Sequence, residues 1–288
     1  MLTIISPQNP RVKRVIKLND RRARDEARQT VVEGVREVRL ALGRGVVPLE
    51  AYLCPELIDG AEAEKAAQHL RAIAATGMSE MFLVSPEVFA KMAYRGESGG
   101  LLLVIAYRTP RLDDLQFRGA PFVVVVEEAE KPGNLGAVLR TADAAGVDAA
   151  IVPTPASSRG TDLHNPNVIR ASLGAYFTVP TVATSNDEAI DWLKERGLAI
   201  VAATPGAEAL YTDTDMTGPV ALAVGSEAWG LSDTWLAAAD RRVRIPMAGE
   251  VDSLNLSASA ALLLYEVVRQ RGAGRKGRRG ERGKGGSL

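Results

Sequence analysis

The chain has 288 residues, 46% of them hydrophobic and 24% charged, and its formal net charge is zero. This composition is typical of a globular protein, and no apolar stretch reaches the roughly 20 residues of a membrane helix. A single cysteine, Cys54, excludes an internal disulfide and a cysteine-cluster metal site, and two histidines are too few for an ordinary histidine zinc site. We therefore expect no metal and no membrane span. At the N-terminus, apolar residues precede basic ones, the reverse of a secretory signal, which favours the cytoplasm.

The first third of the chain alternates predicted helices and strands. Hydrophobic periodicity predicts helices at 11–29, 35–43, 61–74 and 86–93. Short apolar runs predict strands at 30–34, 48–54, 80–85 and 99–107, and Cys54 is expected as a buried, inert thiol at a strand end. This alternation indicates a small α/β domain over 1–107. Residues 108–121, polar with a proline near each end, form the predicted linker.

The second domain is predicted over 122–270. Strands are expected at 122–127, 148–152, 177–179, 198–203, 220–225 and 242–245. Helices are expected at 135–145, 166–173, 186–196, 233–239 and 254–270. Short apolar strands joined by helices predict a mainly parallel sheet, in which ligands bind beyond the carboxyl ends of the strands.

The segment EKPGNLGAVLRTADAAG, residues 130–146, follows the apolar run 122–126 and opens a predicted helix. A strand, a glycine turn and a helix suggest a nucleotide site, but neither GxGxxG nor Gly-Lys-Ser/Thr is present. Asn134 is predicted to cap the helix, and Arg140 falls off its apolar face. This segment alone requires no functional role for either residue, because Asn134 can simply cap the helix and Arg140 can be an ordinary exposed arginine.

Two further segments follow predicted strands. In ALAVGSEAWGLSD, 221–233, Gly225 would let a ligand approach the backbone closely, and Glu227 is an acid at the end of a strand. In RIPMAGEVDSLNLSASAALLLYE, 244–266, a strand ends at Ile245, and a helix rich in small residues follows. Either Ser253 or Asn255 is expected to cap that helix.

In their order and spacing, the three segments resemble the three motifs of the SpoU (TrmH) RNA methyltransferase family of the SPOUT superfamily, over 122–270. The stretch NPNVIRASLGAYFTVP, 165–180, also resembles the family between its motifs. Residues 6–42 resemble the substrate-binding domain of the ribosomal-RNA members. Ala228 departs from the glycine that the family commonly has in GSEG, which puts the backbone of that turn in doubt.

The resemblance implies transfer of a methyl group from S-adenosylmethionine to a ribose 2′-hydroxyl of RNA, and the likeness of the N-terminal domain favours 23S ribosomal RNA. It implies an α/β fold in which a parallel-sheet domain with a deep trefoil knot follows a small L30e-like α/β RNA-binding domain. It implies a homodimer paired through the C-terminal domain. By the same likeness, the cofactor binds at Thr204, Gly225, Ile245, Ser253 and Leu254.

The resemblance also implies the roles of the catalytic candidates. Arg140 is the proposed base or activator, and its more conservative role is to bind the RNA phosphate and stabilise the developing oxyanion. Asn134 would orient Arg140 or the ribose, and Glu227 would hold that network. Ser253 and Asn255 would bind the cofactor end and the ribose.

Basic residues at both ends of the chain suggest contact with a polyanion. Residues 1–30 hold eight Lys and Arg against three acids, and the tail 271–288 holds seven against one. The tail is expected to be disordered because it has almost no apolar residues. The residues predicted to bind RNA are Lys13, Arg14, Arg21, Arg22 and Arg170.

Four alternatives remain open: a transfer-RNA 2′-O-methyltransferase, a non-catalytic RNA-binding protein, a base methyltransferase and a nicotinamide-dependent oxidoreductase. The last needs a glycine-rich turn with a ribose-binding acid about 20 residues on, and KPGNLG lacks that pattern. Asp162 and His164 lie in TDLHNPN, which is expected to be a surface loop.

Overall fold

In the computed structural model, residues 2–94, 98–107, 109–117, 119–154, 160–226 and 228–272 are described. They divide into two compact units that interleave along the chain. Unit 1 comprises 1–110, 131–140 and 161–180, and unit 2 comprises 111–130, 141–160 and 181–288. Two stretches of the second predicted domain therefore pack with the first part of the chain.

Unit 1 is built on a five-stranded mixed sheet. Its strands are β1 (Leu2–Ile4), β2 (Gln29–Glu33), β3 (Glu50–Leu53), β4 (Glu80–Val84) and β5 (Leu101–Ala106), in the order β1-β4-β3-β5-β2. The strands β1, β4 and β3 are parallel, and β5 runs antiparallel to β3 and β2. Its helices are α1 (Pro10–Lys17), α2 (Arg21–Ala27), α3 (Val35–Gly43), α4 (Ala61–Ala75), α5 (Pro86–Met92) and α7 (Pro166–Ala171).

Each face of this sheet carries a hydrophobic core. Because side chains alternate along a strand, Tyr52 packs in one cluster with the helices α1 and α5, and its neighbour Leu53 packs in the other with α3 and α4. Ile169 of α7 belongs to the second cluster. Segment 161–180 thus contributes to the core of unit 1.

The predicted helix 11–29 is wrong as a single element, because Asp20 starts a second helix. Asn9 caps α1 by accepting a hydrogen bond from the Arg11 N–H at 2.9 Å, and Asp20 caps α2 by accepting from the Ala23 N–H at 3.2 Å. A capping aspartate favours a new start over continuation of the helix. The turn lets the buried Arg24 donate to the Leu18 carbonyl at 2.7 Å.

Unit 2 is built on a seven-stranded sheet in which every pairing is parallel, which confirms the predicted sheet type. Its strands are β6 (Phe122–Val126), β7 (Ala149–Thr154), β8 (Thr181–Ser185), β9 (Ala199–Ala203), β10 (Ala209–Leu210), β11 (Val220–Val224) and β12 (Arg241–Arg244). Their order is β10-β12-β9-β11-β6-β7-β8. Its helices are α8 (Asn186–Glu195), α9 (Asp233–Ala238) and α10 (Leu256–Gly272). Helix α6 (Pro132–Ala145) begins in unit 1 and ends in unit 2.

Several predicted elements differ from the structure, and three of these differences affect residues discussed above. The strand expected at 177–179 is wrong, because Ala175–Phe177 forms a 3-10 turn and the strand starts only after Pro180, which has no N–H to donate. Helix α6 begins at Pro132, so Asn134 lies inside its first turn and is not its cap. Helix α10 continues to Gly272, two residues into the predicted tail, and Arg271 donates to the carbonyls of Ala120, Pro121 and Gly218. Residues 273–288 of that tail lie outside the described residues.

The loop that holds Asp162 and His164 is not the surface loop expected from its polarity. His164 is buried, stacks on Tyr107 with ring centroids 3.6 Å apart, and shares a 2.6 Å hydrogen bond through Nδ1 with the Tyr176 hydroxyl. Its carbonyl accepts from the Thr30 hydroxyl at 2.6 Å, and Asp162 pairs with the buried Arg24. This network ties the loop to the sheet of unit 1.

Burial lowers the pKa of His164 to about 4, because the low-dielectric surroundings disfavour the imidazolium, although nearby Asp162 opposes the shift. A lowered pKa for a base means that stability is full above about pH 6.5 and declines as the pH falls toward 4. We expect this decline to reach roughly 2–3 kcal/mol.

The measurement is urea unfolding of the wild-type protein and His164→Gln between pH 7.5 and 4.5. The wild-type protein should lose more stability than the variant over this range, and exposed His69→Gln should behave as the wild type does. Equal losses in the wild type and His164→Gln would contradict the assignment.

Among the described residues, none of the helices combines the length and apolar character needed to cross a lipid bilayer.

Candidate active site

A cavity of about 560 Å³ opens at the carboxyl ends of three neighbouring strands of unit 2. Its walls come from residues just beyond β9, β11 and β12, from the loop before α10, and from the starts of α9 and α10. Residues that follow adjacent parallel strands meet at one edge of the sheet, which is where open α/β sheets bind ligands. The lining mixes apolar side chains such as Leu231 and Met247 with hydroxyls and the carboxylates of Asp233 and Asp252.

The structure brings together all five residues that the sequence suggested for a cofactor. Thr204 follows β9, Gly225 follows β11, and Ile245 follows β12, while Ser253 and Leu254 lie in the loop before α10, and each of them lines the cavity. Sequence analysis did not single out Asp233, Asp252 or Ser259, which also line it. Their positions after a strand or at a helix start are the signal that was available.

The wall after β11 is a tight turn. Ser226 and Gly230 form an antiparallel bridge, with the Ser226 N–H donating to the Gly230 carbonyl at 3.1 Å and the Gly230 N–H to the Ser226 carbonyl at 3.0 Å. The turn folds back so closely that a Cβ on Gly225 would lie 2.0 Å from the Gly230 carbonyl carbon. Gly225 is therefore required by this close approach of backbone to backbone. Glu227, predicted as a catalytic residue, lies outside the described residues.

A buried carboxylate that the sequence analysis missed anchors the far end of this turn. Glu127, 2% exposed, follows β6, and its Oε2 accepts from the Ser232 N–H at 2.7 Å. Its Oε1 accepts from the Asn186 amide at 2.7 Å, and Asn186 in turn accepts from the Trp235 indole N–H at 3.1 Å. An acid directly after five apolar strand residues was the available signal. The network fixes the backbone between the cavity-lining Leu231 and Asp233.

Glu127→Ala leaves the Asn186 amide and the Ser232 N–H without their buried acceptor. We expect it to lower the free energy of unfolding by about 2–4 kcal/mol and to weaken cofactor binding, because Ser232 adjoins two cavity residues. Chemical denaturation and calorimetric titration with S-adenosylhomocysteine measure the two effects. The exposed Glu130→Ala is the matched control, and equal stability of the two variants would contradict this role for Glu127.

Two of the other catalytic candidates lie on helix α6, and two lie at or before the start of α10. Asn134 is half-buried in the first turn of α6, and Arg140 is exposed on the same helix. Asn255 caps α10, because its Oδ1 accepts from the Ser257 N–H at 3.0 Å and from the Ser257 hydroxyl at 2.7 Å. This confirms that one of the two candidates caps the helix, while Ser253 lines the cavity.

Gly136, in the same motif as Asn134, permits close packing within unit 1. A Cβ at Gly136 would lie 2.5 Å from the Ala171 Cβ and 2.8 Å from the Val168 carbonyl oxygen, both on α7. The motif glycine therefore brings the start of α6 against α7.

Most of the basic side chains proposed for RNA already have partners in unit 1. Arg14 pairs with Glu50, Arg22 with Glu26 at 2.7 Å, and Arg21 with Asp25 at 3.6 Å. The guanidinium of Arg170 lies over the Tyr94 ring at 4.8 Å and donates to Asn167, whereas Lys13 is exposed. Ion pairs at the surface cost little to exchange for phosphate, so their assignment to RNA stays a prediction.

Cys54 is fully buried at the end of β3, as expected. Burial raises the pKa of its thiol to about 11, with the nearby Glu56 adding to the shift, so the reactive thiolate is scarce at neutral pH. Within the described ranges, no group of three or more His, Cys, Asp or Glu is arranged to hold a metal ion.

A seven-stranded parallel sheet with a ligand-sized cavity at its strand ends, joined to a small mixed-sheet unit, defines an α/β protein with a small-molecule site. The chain matches the SpoU rRNA Methylase family over residues 121–265 and the MRM3-like substrate binding domain over residues 9–102. It belongs to the SpoU rRNA methylase family, and the predicted family is confirmed.

Relatives along most of the chain agree with this assignment. The 23S rRNA (uridine(2479)-2'-O)-methyltransferase of Streptomyces viridochromogenes is 31% identical over 265 residues, which cover 90% of this chain and 88% of that protein. A solved RNA 2'-O ribose methyltransferase is 40% identical, covers 94% of this chain and 99% of its own, and superposes with a TM-score of 0.78. The AdoMet-bound rRNA methyltransferase from Sinorhizobium meliloti is 28% identical, with coverages of 93% and 97% and a TM-score of 0.81.

Proposed function

We propose that this chain transfers a methyl group from S-adenosylmethionine to a ribose 2′-hydroxyl of 23S ribosomal RNA. The observation that carries the proposal is the cavity of unit 2, where five residues expected to bind this cofactor come together from three strands and a loop. A relative named for the same reaction and a similar rRNA methyltransferase solved with AdoMet bound support it.

The residues present fit this cofactor. A volume of about 560 Å³ lies within the range of small-molecule sites. Apolar side chains such as Leu231 and Leu254 suit an adenine ring, while hydroxyls and the Asp233 and Asp252 carboxylates suit the ribose and the cationic end. When bound, S-adenosylmethionine supplies an electrophilic methyl group on a sulfonium.

The chain's own residues must position the ribose and assist loss of the 2′-hydroxyl proton. A guanidinium holds its proton tightly and is a poor general base. We assign Arg140 instead to bidentate binding of the neighbouring phosphate and to stabilisation of charge on the reacting oxygen. Asn134 would orient Arg140 or the ribose, Glu227 would hold the network, and Ser253 and Asn255 would complete the site.

The two parts of the chain would divide the work. Residues 1–107 would act as an L30e-like domain that selects the RNA, and 122–270 would act as the methyltransferase domain with a trefoil knot, joined by 108–121. The match of residues 9–102 to a substrate-binding domain supports the first role. The site of action would be the cytoplasm.

A homodimer paired through α10 is part of the proposal. Leu262 and Tyr265 of this helix are 40% and 49% exposed, and small residues such as Ala258 at its start permit close packing of helices. An apolar helix face exposed in the single chain is expected at such an interface.

The test is transfer of tritium from labelled S-adenosylmethionine to unmodified 23S ribosomal RNA, with transfer RNA and DNA assayed in parallel. Nuclease digestion then locates the label. Label on a 2′-O-methyl nucleoside of ribosomal RNA is the expected result, and DNA should stay unlabelled because it has no 2′-hydroxyl. Label on a base, or on transfer RNA alone, would refute the proposal.

A further inference from the structure

Trp229 is exposed at the edge of the cavity. Its exposed fraction is 86%, whereas the other two tryptophans of the chain, Trp192 and Trp235, are 5% and 0% exposed. Single exposed apolar residues are common on protein surfaces. This one also lines the candidate cofactor cavity, so its position bears on the reaction.

The backbone holds Trp229 in this place. Its N–H donates to the Ser226 hydroxyl at 3.2 Å, and the next residue, Gly230, forms the bridge with Ser226. Gly230 has a φ of +69°, which turns the chain directly after the tryptophan. Gly230 and Leu231 lie directly against Gly225 at the end of β11, so the backbone on the C-terminal side of Trp229 is fixed by close contact.

The reaction brings RNA to the mouth of this cavity. The 2′-hydroxyl must come within reach of a methyl group bound inside, so the bases on either side of the target ribose lie at the rim. Unpaired bases of RNA stack on aromatic side chains, and each stack contributes roughly 1–3 kcal/mol, or about 5- to 150-fold in affinity.

We propose that Trp229 stacks on a nucleobase of the RNA substrate beside the ribose that is methylated. The inference rests on the proposed function and adds a residue that selects an unpaired nucleotide at the target.

Two other occupants fit the geometry less well. If Trp229 instead stacked on the adenine of a cofactor inside the cavity, its indole ring would face inward. Most of the Trp229 surface faces solvent. A second copy of the chain would need an interface of about 800 Å² on each partner, and the flanking Ala228 and Gly230 are small and add little apolar surface.

Tryptophan emission tests the stack without turnover, because Trp229 is the solvent-exposed one of the three tryptophans. A single-stranded RNA oligomer of mixed base sequence should quench and shift the emission of the wild-type protein, because bases of every type stack on aromatic side chains. An abasic ribose-phosphate oligomer of the same length should not, and Trp229→Leu should lose the response. Quenching by S-adenosylhomocysteine alone, or equally by the abasic oligomer, would overturn the proposal.

Kinetics and assembly provide the second test. Trp229→Leu should raise the KM for RNA by roughly 5- to 150-fold, and Trp229→Phe should restore most of the loss. Because Trp229 also lines the cavity, the cofactor Kd is expected to rise far less than the KM, with the oligomeric state unchanged. A cofactor Kd that rises as much as the KM, a change to monomer or an unchanged KM would each overturn the stack. If the wild type labels no RNA, the proposed function fails, and the emission test still decides the stack.

Discussion

Arg140→Ala is expected to lower kcat for methyl transfer by about 10²–10³-fold, the usual cost of removing one stabiliser of transition-state charge. The side chain is exposed on α6, and no carboxylate among the described residues forms an ion pair with it. Arg14 and Arg22, by contrast, are held by Glu50 and Glu26. Arg140 is therefore available for a phosphate oxygen, and its removal should cost the fold little.

The measurement is kcat and KM for RNA in Arg140→Ala, together with the Kd for S-adenosylhomocysteine. The cofactor Kd should stay within about twofold, because Arg140 is assigned to the RNA side of the reaction. Arg140→Lys should recover only part of the rate, since an ammonium cannot make the planar bidentate contact. The exposed Lys194→Ala controls for loss of a positive charge. Unchanged turnover in Arg140→Ala would remove the residue from the mechanism.

Local pattern was sufficient for much of the second unit. The five apolar residues of β6 and the similar run of β11 predict strands buried on both faces, and these strands pair in parallel at the centre of the sheet. Gly225 and Ile245 could be placed at one edge of the sheet because parallel strands end together, whereas Thr204 after β9 was expected from the family resemblance alone. The cavity at that edge gathers residues separated by about 50 positions in sequence, such as Thr204 and Leu254.

Features set by long-range contact were not predictable from pattern. The edge strands β1 and β10 have only three and two residues, too few to show alternation. Asp162 and His164 lie in a polar stretch typical of a surface loop. His164 is buried and Asp162 is partly buried because Tyr107 and Arg24 complete their interactions from distant segments. In the sequence, Glu127 is simply the last residue of a predicted strand. Its role depends on Asn186 and Ser232, which are distant in sequence and donate hydrogen bonds to its carboxylate.

The division of the chain into units shows the same limit. Periodicity placed a boundary at the polar linker 108–121, where composition changes. Segments 131–140 and 161–180 nevertheless cluster with the first unit, partly because Gly136 lets α6 meet α7 and Ile169 joins the core beside β2. These contacts depend on shape complementarity between distant segments, which no local pattern encodes.

Gly225→Ala is expected to abolish most cofactor binding. The added Cβ would lie 2.0 Å from the Gly230 carbonyl carbon and 2.1 Å from the Leu231 nitrogen, so backbone must move. Overpacking of this kind costs about 1–3 kcal/mol. If the cofactor binds only when the turn has its native conformation, restoring that conformation costs the same free energy. The Kd for the cofactor should then rise by roughly 5- to 150-fold. The movement breaks the bridge between Ser226 and Gly230 and displaces Leu231, which lines the cavity.

Calorimetric titration with S-adenosylhomocysteine measures this loss, and circular dichroism checks that the sheet remains folded. The matched control is Gly206→Ala, beside the cavity-lining Pro205, where an added Cβ meets nothing within 4 Å. That control should bind the cofactor as the wild type does. Normal binding by Gly225→Ala would mean that the turn relaxes without disturbing the cavity. Loss of binding in Gly225→Ala alone would show that the tight turn after β11 shapes the site, because both variants add the same methyl group beside it.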